Sequence, residues 1–126
     1  MSATQKKYRS APRKEFKPLT LDSFSSLENL EKIACYGEIT EASSSGILIH
    51  FKREDFLKKE LRTNLNLDEL IGKKVFFNIH EMNLEISGTV ARTKFLGKQG
   101  FQVAVDYSSD APEYWRECLI DLLPTV

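Results

Sequence analysis

The sequence predicts a mainly β protein, namely a small antiparallel β-barrel of about six strands with a C-terminal α-helix and one inserted helix. Three observations favour this fold class. Apolar and polar residues alternate in several short runs, turn-forming residues separate those runs, and an amphipathic segment follows the last one. A chain of 126 residues has room for one such domain, and closure of its sheet would leave no exposed strand edges.

The strands are predicted from period-two alternation. Residues 19–32 are less regular, and Ser25 and Glu28 have the spacing of a capping box there. That spacing favours a short helix, with Leu27, Leu30 and Ile33 on one face. Turns are expected at 43–46, 81–83 and 97–100. The alternating positions are Ile33, Cys35, Gly37 and Ile39; Ile47, Ile49 and Phe51; Val75, Phe77 and Ile79; Leu84, Ile86, Gly88 and Val90; and Phe101, Val103, Val105 and Tyr107.

Two helices complete the predicted architecture. Residues 52–61 suit an inserted helix with Phe56 and Leu57 facing inward and Leu61 beneath them, and Gly72 ends a second helical or turn segment around 65–70. Near the C-terminus, Asp110 can cap a helix that has Pro112 in its first turn. That helix is expected to cover one barrel opening. Its apolar face is predicted to comprise Tyr114, Trp115, Cys118, Leu119 and Leu122.

The charges are distributed unevenly along the chain. Eighteen basic residues balance eighteen acidic ones, but residues 1–17 hold six bases against Glu15 alone, a net charge of +5, and the rest carries −5. We therefore divide the chain into a basic arm, residues 1–17, and a barrel domain with its helix, residues 18–126. The overall neutrality argues against a DNA- or RNA-coating protein. A basic arm on an acidic body is typical of a segment that meets an anion or an acidic patch.

The sequence lacks the usual signatures of catalysis, metal binding and membrane insertion. Neither a nucleophile elbow nor a P-loop nor a zinc-protease motif occurs, so we expect no enzyme activity and no cofactor. His50 and His80 are expected to be half-exposed, and with Cys35 and Cys118 they lack the paired spacing of zinc ligands. Without a long apolar run or a secretory signal, we expect a cytoplasmic protein with no membrane insertion.

Two weak motifs become informative in combination. The arm contains Arg9-Ser-Ala-Pro-Arg13, an R-x-x-x-R spacing, and the first turn reads Glu41-Ala-Ser43-Ser-Ser-Gly46, an acid-x-S-x-x-G pattern. In this order and followed by β-strands, they resemble the PilZ domain, a small β-barrel that binds the bacterial second messenger cyclic di-GMP. The segments Gly88-Thr-Val90-Ala-Arg92 and Gly100-Phe-Gln-Val103 also look like later strands of that family. The resemblance covers residues 7–122.

The chemistry of the motifs agrees with that ligand. An arginine fork matches guanine O6 and N7, or a phosphate, through two hydrogen bonds. We expect the arm to be flexible without ligand and ordered with it. Ser43 can donate to an acceptor on the ligand, the carboxylate of Glu41 can accept from guanine N1–H and N2–H₂, and Gly46 is expected to allow an unusual backbone shape and close approach of a base.

The sequence departs from the family pattern at two positions. Glu41 stands where Asp or Asn is usual, and Tyr8 stands where many members carry a second arginine before Arg9. Tyr8 can stack on a guanine instead, and Lys7 can reach a phosphate as a point charge. The resemblance thus implies a cyclic di-GMP receptor that changes conformation and acts on an unidentified protein partner in trans, in motility, pilus function or related signalling.

Two alternatives remain open at this point. One is a PilZ-fold adaptor that binds its protein partner without nucleotide, as some members of the family do. The other is an oligonucleotide-binding barrel, against which the acidic body argues, because single strands bind in positive grooves.

Overall fold

A computed structural model of the chain describes residues 18–63, 67–107 and 113–123, with the backbone alone for residues 113–116. Six antiparallel strands form a closed barrel in the order β1-β2-β3-β6-β5-β4, and β4 pairs back onto β1. The predicted fold class is confirmed. The strands are β1 (Leu19–Ser26), β2 (Lys32–Ala42), β3 (Gly46–Phe51), β4 (Lys74–Ile79), β5 (Leu84–Phe95) and β6 (Phe101–Tyr107); the helices are α1 (Lys59–Thr63) and α2 (Glu113–Leu122).

The prediction of a short helix within residues 19–32 is wrong, because residues 19–26 form β1. The strand was missed because its alternation breaks. Leu19 and Leu21 point into the barrel, but Ser23 adopts a left-handed φ of 58° and the register shifts there. After this bulge Phe24 and the next two residues are all buried, and the period-two signal is lost. The capping-box spacing is coincidental.

The other five strands agree with the alternating runs, with one error. On β2, Ile33, Gly37 and Ile39 are buried as expected, whereas Cys35 is exposed and its neighbour Ala34 takes the inward position. Ala34 forms an isolated antiparallel bridge with Phe56, which explains its burial. The expected turns at 81–83 and 97–100 are present as short 3₁₀ segments, His80–Met82 and Gly97–Gln99.

The segment between β3 and β4 closes the barrel end at which β2 begins. The predicted single helix over 52–61 is wrong, because residues 56–58 separate a 3₁₀ turn at Arg53–Asp55 from the α1 helix. The Phe56 ring lies 5.3 Å from the ring of Phe51 and is fully buried. Leu57, expected to face inward, is exposed. Core contacts of one aromatic ring therefore outweigh the helical propensity of its neighbours.

The α2 helix adds Leu119, and Leu123 just beyond its end, to the barrel core. These two residues lie one helical turn apart and define the inward face. The predicted apolar face is wrong in two members, because Cys118 and Leu122 are both exposed. The expected cap and first turn, Asp110 and Pro112, and the side chains of Tyr114 and Trp115 lie outside the described residues.

Candidate functional site

The turn between β2 and β3 carries the second motif, and Ser43 holds it together. The Oγ of Ser43 accepts the backbone N–H groups of Ser45 and Gly46, each at 3.2 Å. The backbone N–H of Ser43 donates to the Gly46 carbonyl at 2.8 Å. The hydroxyl proton of Ser43 can reach the Gly46 carbonyl or the Ser45 hydroxyl. Ser43 thus shapes the turn through its oxygen, and the expected donation from its hydroxyl to a ligand stays a prediction.

Gly46 is required for a reason other than the expected one. It is not among the residues with positive φ, so its backbone shape is open to other residues. However, a Cβ placed on Gly46 would lie 2.4 Å from the carbonyl oxygen of Val105 on β6. The glycine thus allows close approach of a neighbouring strand, whereas we expected it to allow close approach of a base. Both motif residues are explained by the local architecture of the barrel.

Four side chains form a row across the outer face of the barrel beside this turn. Glu41 on β2 pairs with Leu48 on β3, Leu48 pairs with Ala104 on β6, and Ala104 pairs with Arg92 on β5. Neighbours of this kind share one face of a sheet. The flanking residues Ile47 and Ile49 belong to the core, so Leu48 points outward. We call Glu41, Leu48, Ala104 and Arg92 the outer row.

A groove of about 310 Å³ runs along the outer row next to the turn. Its volume is at the lower end of the ~300–1,000 Å³ range of small-molecule sites. Leu48 and Ala104 form an apolar floor and are each only 6% exposed, although neither belongs to the core. Ser43, Ser45 and Gly46 line one end, and Arg92 and Asp106 supply its charged groups. Glu41 ends the row just outside this lining.

The sequence did not identify Arg92 as a site residue. It is exposed, and it has no hydrogen bond or ion pair with any other residue that the structure describes. A second groove of about 190 Å³ adjoins the first and shares Leu48, Ala104 and Arg92 with it. The only signal available beforehand was a cation two residues after Val90, the last alternating position of a predicted strand, and nothing in the sequence paired that strand with the turn.

The residues expected in the arm, Lys7, Tyr8, Arg9 and Arg13, lie outside the described residues. The structure does show where the arm meets the barrel. Leu19, the first residue of β1, pairs with Ile39, two residues before Glu41. The arm therefore joins the barrel two strands from the groove, at the end of the barrel that carries the turn. Six residues extend over at most about 20 Å, which limits the distance between the Cα atoms of Arg13 and Leu19.

Carboxylates dominate the neighbouring face of β1 and β2. Both oxygens of Glu81 accept hydrogen bonds from Thr20, from its N–H and its hydroxyl, at 2.7 Å. Partial burial raises the pKa of Glu81, but these hydrogen bonds outweigh it and leave the pKa below its usual value. The pKa of Tyr36 is raised by partial burial and then by the negative charges of Glu38, Asp55 and Glu81. This face is thus electrostatically negative beside the groove.

The histidines and cysteines do not contribute to the groove. His50 is partly exposed, and its Nε2 lies 2.5 Å from the carbonyl oxygen of Gln99, while His80 is exposed in a turn. Cys35 and Cys118 are exposed free thiols. Within residues 18–63, 67–107 and 113–123, no three His, Cys, Asp or Glu side chains come together in a way that could hold a metal ion.

Comparisons with known proteins add no identity to this picture. The chain matches no protein-family model, no curated protein and no solved structure. None of the described helices combines the length and apolar character that a membrane crossing needs.

Proposed function

We propose that the protein is a PilZ-type receptor for cyclic di-GMP, and that it acts on a protein partner without being an enzyme. The observation that carries this proposal is the position of the groove. It opens beside the acid-x-S-x-x-G turn, it has Arg92 along one side with Glu41 just beyond its lining, and the R-x-x-x-R arm joins the barrel two strands away. The turn that carries one motif thus borders a small concave surface, and β1, which follows the other motif, begins two strands away.

Each part of the groove suits a different part of the nucleotide. The apolar side chains of Leu48 and Ala104 at the base of the groove can contact part of a guanine face. The carboxylate of Glu41 is partly exposed and has no partner among the described residues, so it is free to accept from the guanine N1–H and N2–H₂ edge. Arg9 and Arg13 then close over the ligand and bind a phosphate or the O6 and N7 atoms.

Ligand binding changes the distribution of charge on the surface of this receptor. When the arm closes on the ligand, its charge of +5 moves onto the groove and away from the rest of the barrel. A cytoplasmic partner that reads the exposed arm or the covered groove therefore distinguishes the two states. We place that partner in motility, pilus function or a related signalling pathway, because that is where the family resemblance leads.

Calorimetric titration of the full chain with cyclic di-GMP tests the proposal. Arg9→Ala and Arg13→Ala should each weaken binding about five- to 150-fold, because each removes a charge-assisted contact worth ~1–3 kcal/mol. Lys17→Ala is the control and should change the affinity little. Arm variants that bind as tightly as the parent would show that the arm is not the clamp.

A nucleotide-free adaptor of the same fold is the second candidate, and one observation favours it. Ser43 and Gly46 are both explained by the architecture of the turn and its contact with β6, without any ligand. The titration separates the two candidates. A parent protein that melts cooperatively and yet shows no heat of binding for cyclic di-GMP supports the adaptor and contradicts the receptor.

The position of Glu41 offers a further test. Glu41→Asp should keep or strengthen binding, because a shorter carboxylate loses less rotamer freedom on ordering. Glu41→Ala should weaken it, because guanine donors are left without an acceptor. The three affinities must be measured at one salt concentration, since contacts of the arm are screened by salt. Three equal values would show that Glu41 does not touch the nucleotide.

A further inference from the structure

We infer that Arg92 is a phosphate-binding cation of the groove, contributed by the barrel itself. This inference rests on the proposed function for the identity of the nucleotide, but not for the presence of an anion site. It assigns to β5 a ligand contact that the two sequence motifs do not include. The ligand class is a phosphate ester whose phosphate meets Arg92 while its base lies on the apolar floor.

Glu41 and Arg92, the charged ends of the outer row, each follow a β-bulge. The β2–β3 register shifts between Ile39 and Glu41, and the β5–β6 register shifts between Val90 and Arg92. Each shift is a bulge of one extra residue directly before the charged one. Bulges change the direction of the following side chain and are frequent beside binding sites. Two bulges therefore turn the acid and the base onto the same outer face.

The spacing of the outer row suits one ligand with a base and a phosphate. Neighbouring strands lie about 4.8 Å apart, so the Cα atoms of Glu41 and Arg92 are separated by about 14 Å across Leu48 and Ala104. The long side chains of Glu41 and Arg92 can reach toward each other along the outer row. Glu41 then contacts the hydrogen-bond donors of a base, and Arg92 contacts an anion at the opposite end of the floor.

The surroundings of Arg92 leave its guanidinium available. It has no interaction partner among the described residues, and it lines both the 310 Å³ groove and the adjoining 190 Å³ groove. Asp106 is the one acid in the lining of the larger groove, but it forms no ion pair with Arg92. Because a guanidinium is planar and weakly hydrated, it binds phosphate through two parallel hydrogen bonds better than an ammonium does.

The backbone of Arg92 is held by β5 before any ligand arrives. The barrel can therefore bind an anion weakly by itself.

Affinity measurements on three variants test the role of Arg92 in nucleotide binding. Arg92→Ala should weaken cyclic di-GMP binding by about tenfold or more, because a hydrogen-bonded charge pair is lost. The affinity of Arg92→Lys should lie between the affinities of the parent and Arg92→Ala, since lysine keeps the charge but cannot form two parallel hydrogen bonds. Lys98→Ala, at an exposed position in the turn between β5 and β6, is the matched control and should stay within about twofold. Equal affinities for the parent and Arg92→Ala would overturn the inference and leave the proposed function intact.

Titration with inorganic pyrophosphate tests the anion site without assuming the nucleotide. The Arg92 Nε–H resonance in ¹H–¹⁵N spectra, assigned by its loss in Arg92→Ala, should shift and saturate, while those of Arg53 and Arg62 stay in place. An unmoved Arg92 resonance, or equal shifts at all three arginines, would overturn the inference. A saturating shift in a protein that fails to bind cyclic di-GMP would instead keep the anion site and remove the proposed function.

Discussion

Replacement of Gly46 by alanine should destabilise the barrel itself, because the position is filled by a neighbouring strand. The added Cβ would lie 2.4 Å from the Val105 carbonyl oxygen and 3.2 Å from the Asp106 Cα. Both are backbone atoms of β6, so β3 and β6 must move apart to relieve the contact. Overpacking of this kind costs about 1–3 kcal/mol, and each kcal/mol lowers the melting temperature of a domain this size by about 3–6 °C.

Thermal melting of Gly46→Ala followed by circular dichroism measures this effect, and Ser45→Ala provides the control from the same turn. Ser45 is exposed and its side chain contacts Ser43 alone within the described part of the chain, so its loss should shift the melting temperature little. A Gly46→Ala protein that melts at the parent temperature would refute the reasoning. If it also bound cyclic di-GMP less tightly, the glycine would serve the ligand, as the sequence motif first indicated.

Three further changes test other parts of the structure. Ser43→Ala should lower the free energy of unfolding by about 0.5–1.5 kcal/mol, seen in denaturant melts, because two backbone N–H groups of the turn lose their acceptor. Phe56→Ala should cost about 3–5 kcal/mol in the same assay because its ring is fully buried, while the exposed neighbour Leu57→Ala should stay within about 0.5 kcal/mol. Hydrogen bonds from Thr20 lower the pKa of Glu81, so this pair stabilises the fold at pH values above the ordinary pKa of 4.5, and the stabilisation is lost as the pH falls below that value. The melting temperature of Glu81→Gln should therefore depend less on pH in that range than the melting temperature of the parent. An equal dependence of the melting temperature on pH in the two proteins would contradict this assignment.

The sequence predicted the barrel well where alternation is regular and failed where a local irregularity interrupts it. β3, β4 and β6 contain no bulge of their own, so their core residues keep a spacing of two and were recognised. β1 was not, because the bulge at Ser23 places three consecutive buried residues after it. The inserted helix was misjudged for a related reason, since the pairing of Phe56 with Ala34 breaks a segment whose composition favours a helix. Such features depend on contacts between residues that are distant in the sequence, and the helix and strand propensities of single residues carry no information about those contacts.

The sequence located the turn and its acid, and the ligand roles that it assigned to Ser43 and Gly46 stay predictions. Hydrogen bonding within the turn and contact with β6 give both residues a structural role as well. Arg92 was missed because it is 46 residues after Gly46 in the chain and meets the turn only through the pairing of β5 with β6 and of β6 with β3. Strand order decides such neighbourhoods, and alternation alone does not reveal strand order.

The central claim is that cyclic di-GMP binds in the groove on the outer row. Backbone amide spectra of the ¹⁵N-labelled full chain, recorded during titration with cyclic di-GMP at one salt concentration, test both the binding and its place. We expect saturating shifts at Ser45, Leu48, Arg92 and Ala104, and none at Leu57 beside the opposite barrel end. Spectra that do not change, or shifts that concentrate around Leu57, would contradict the claim.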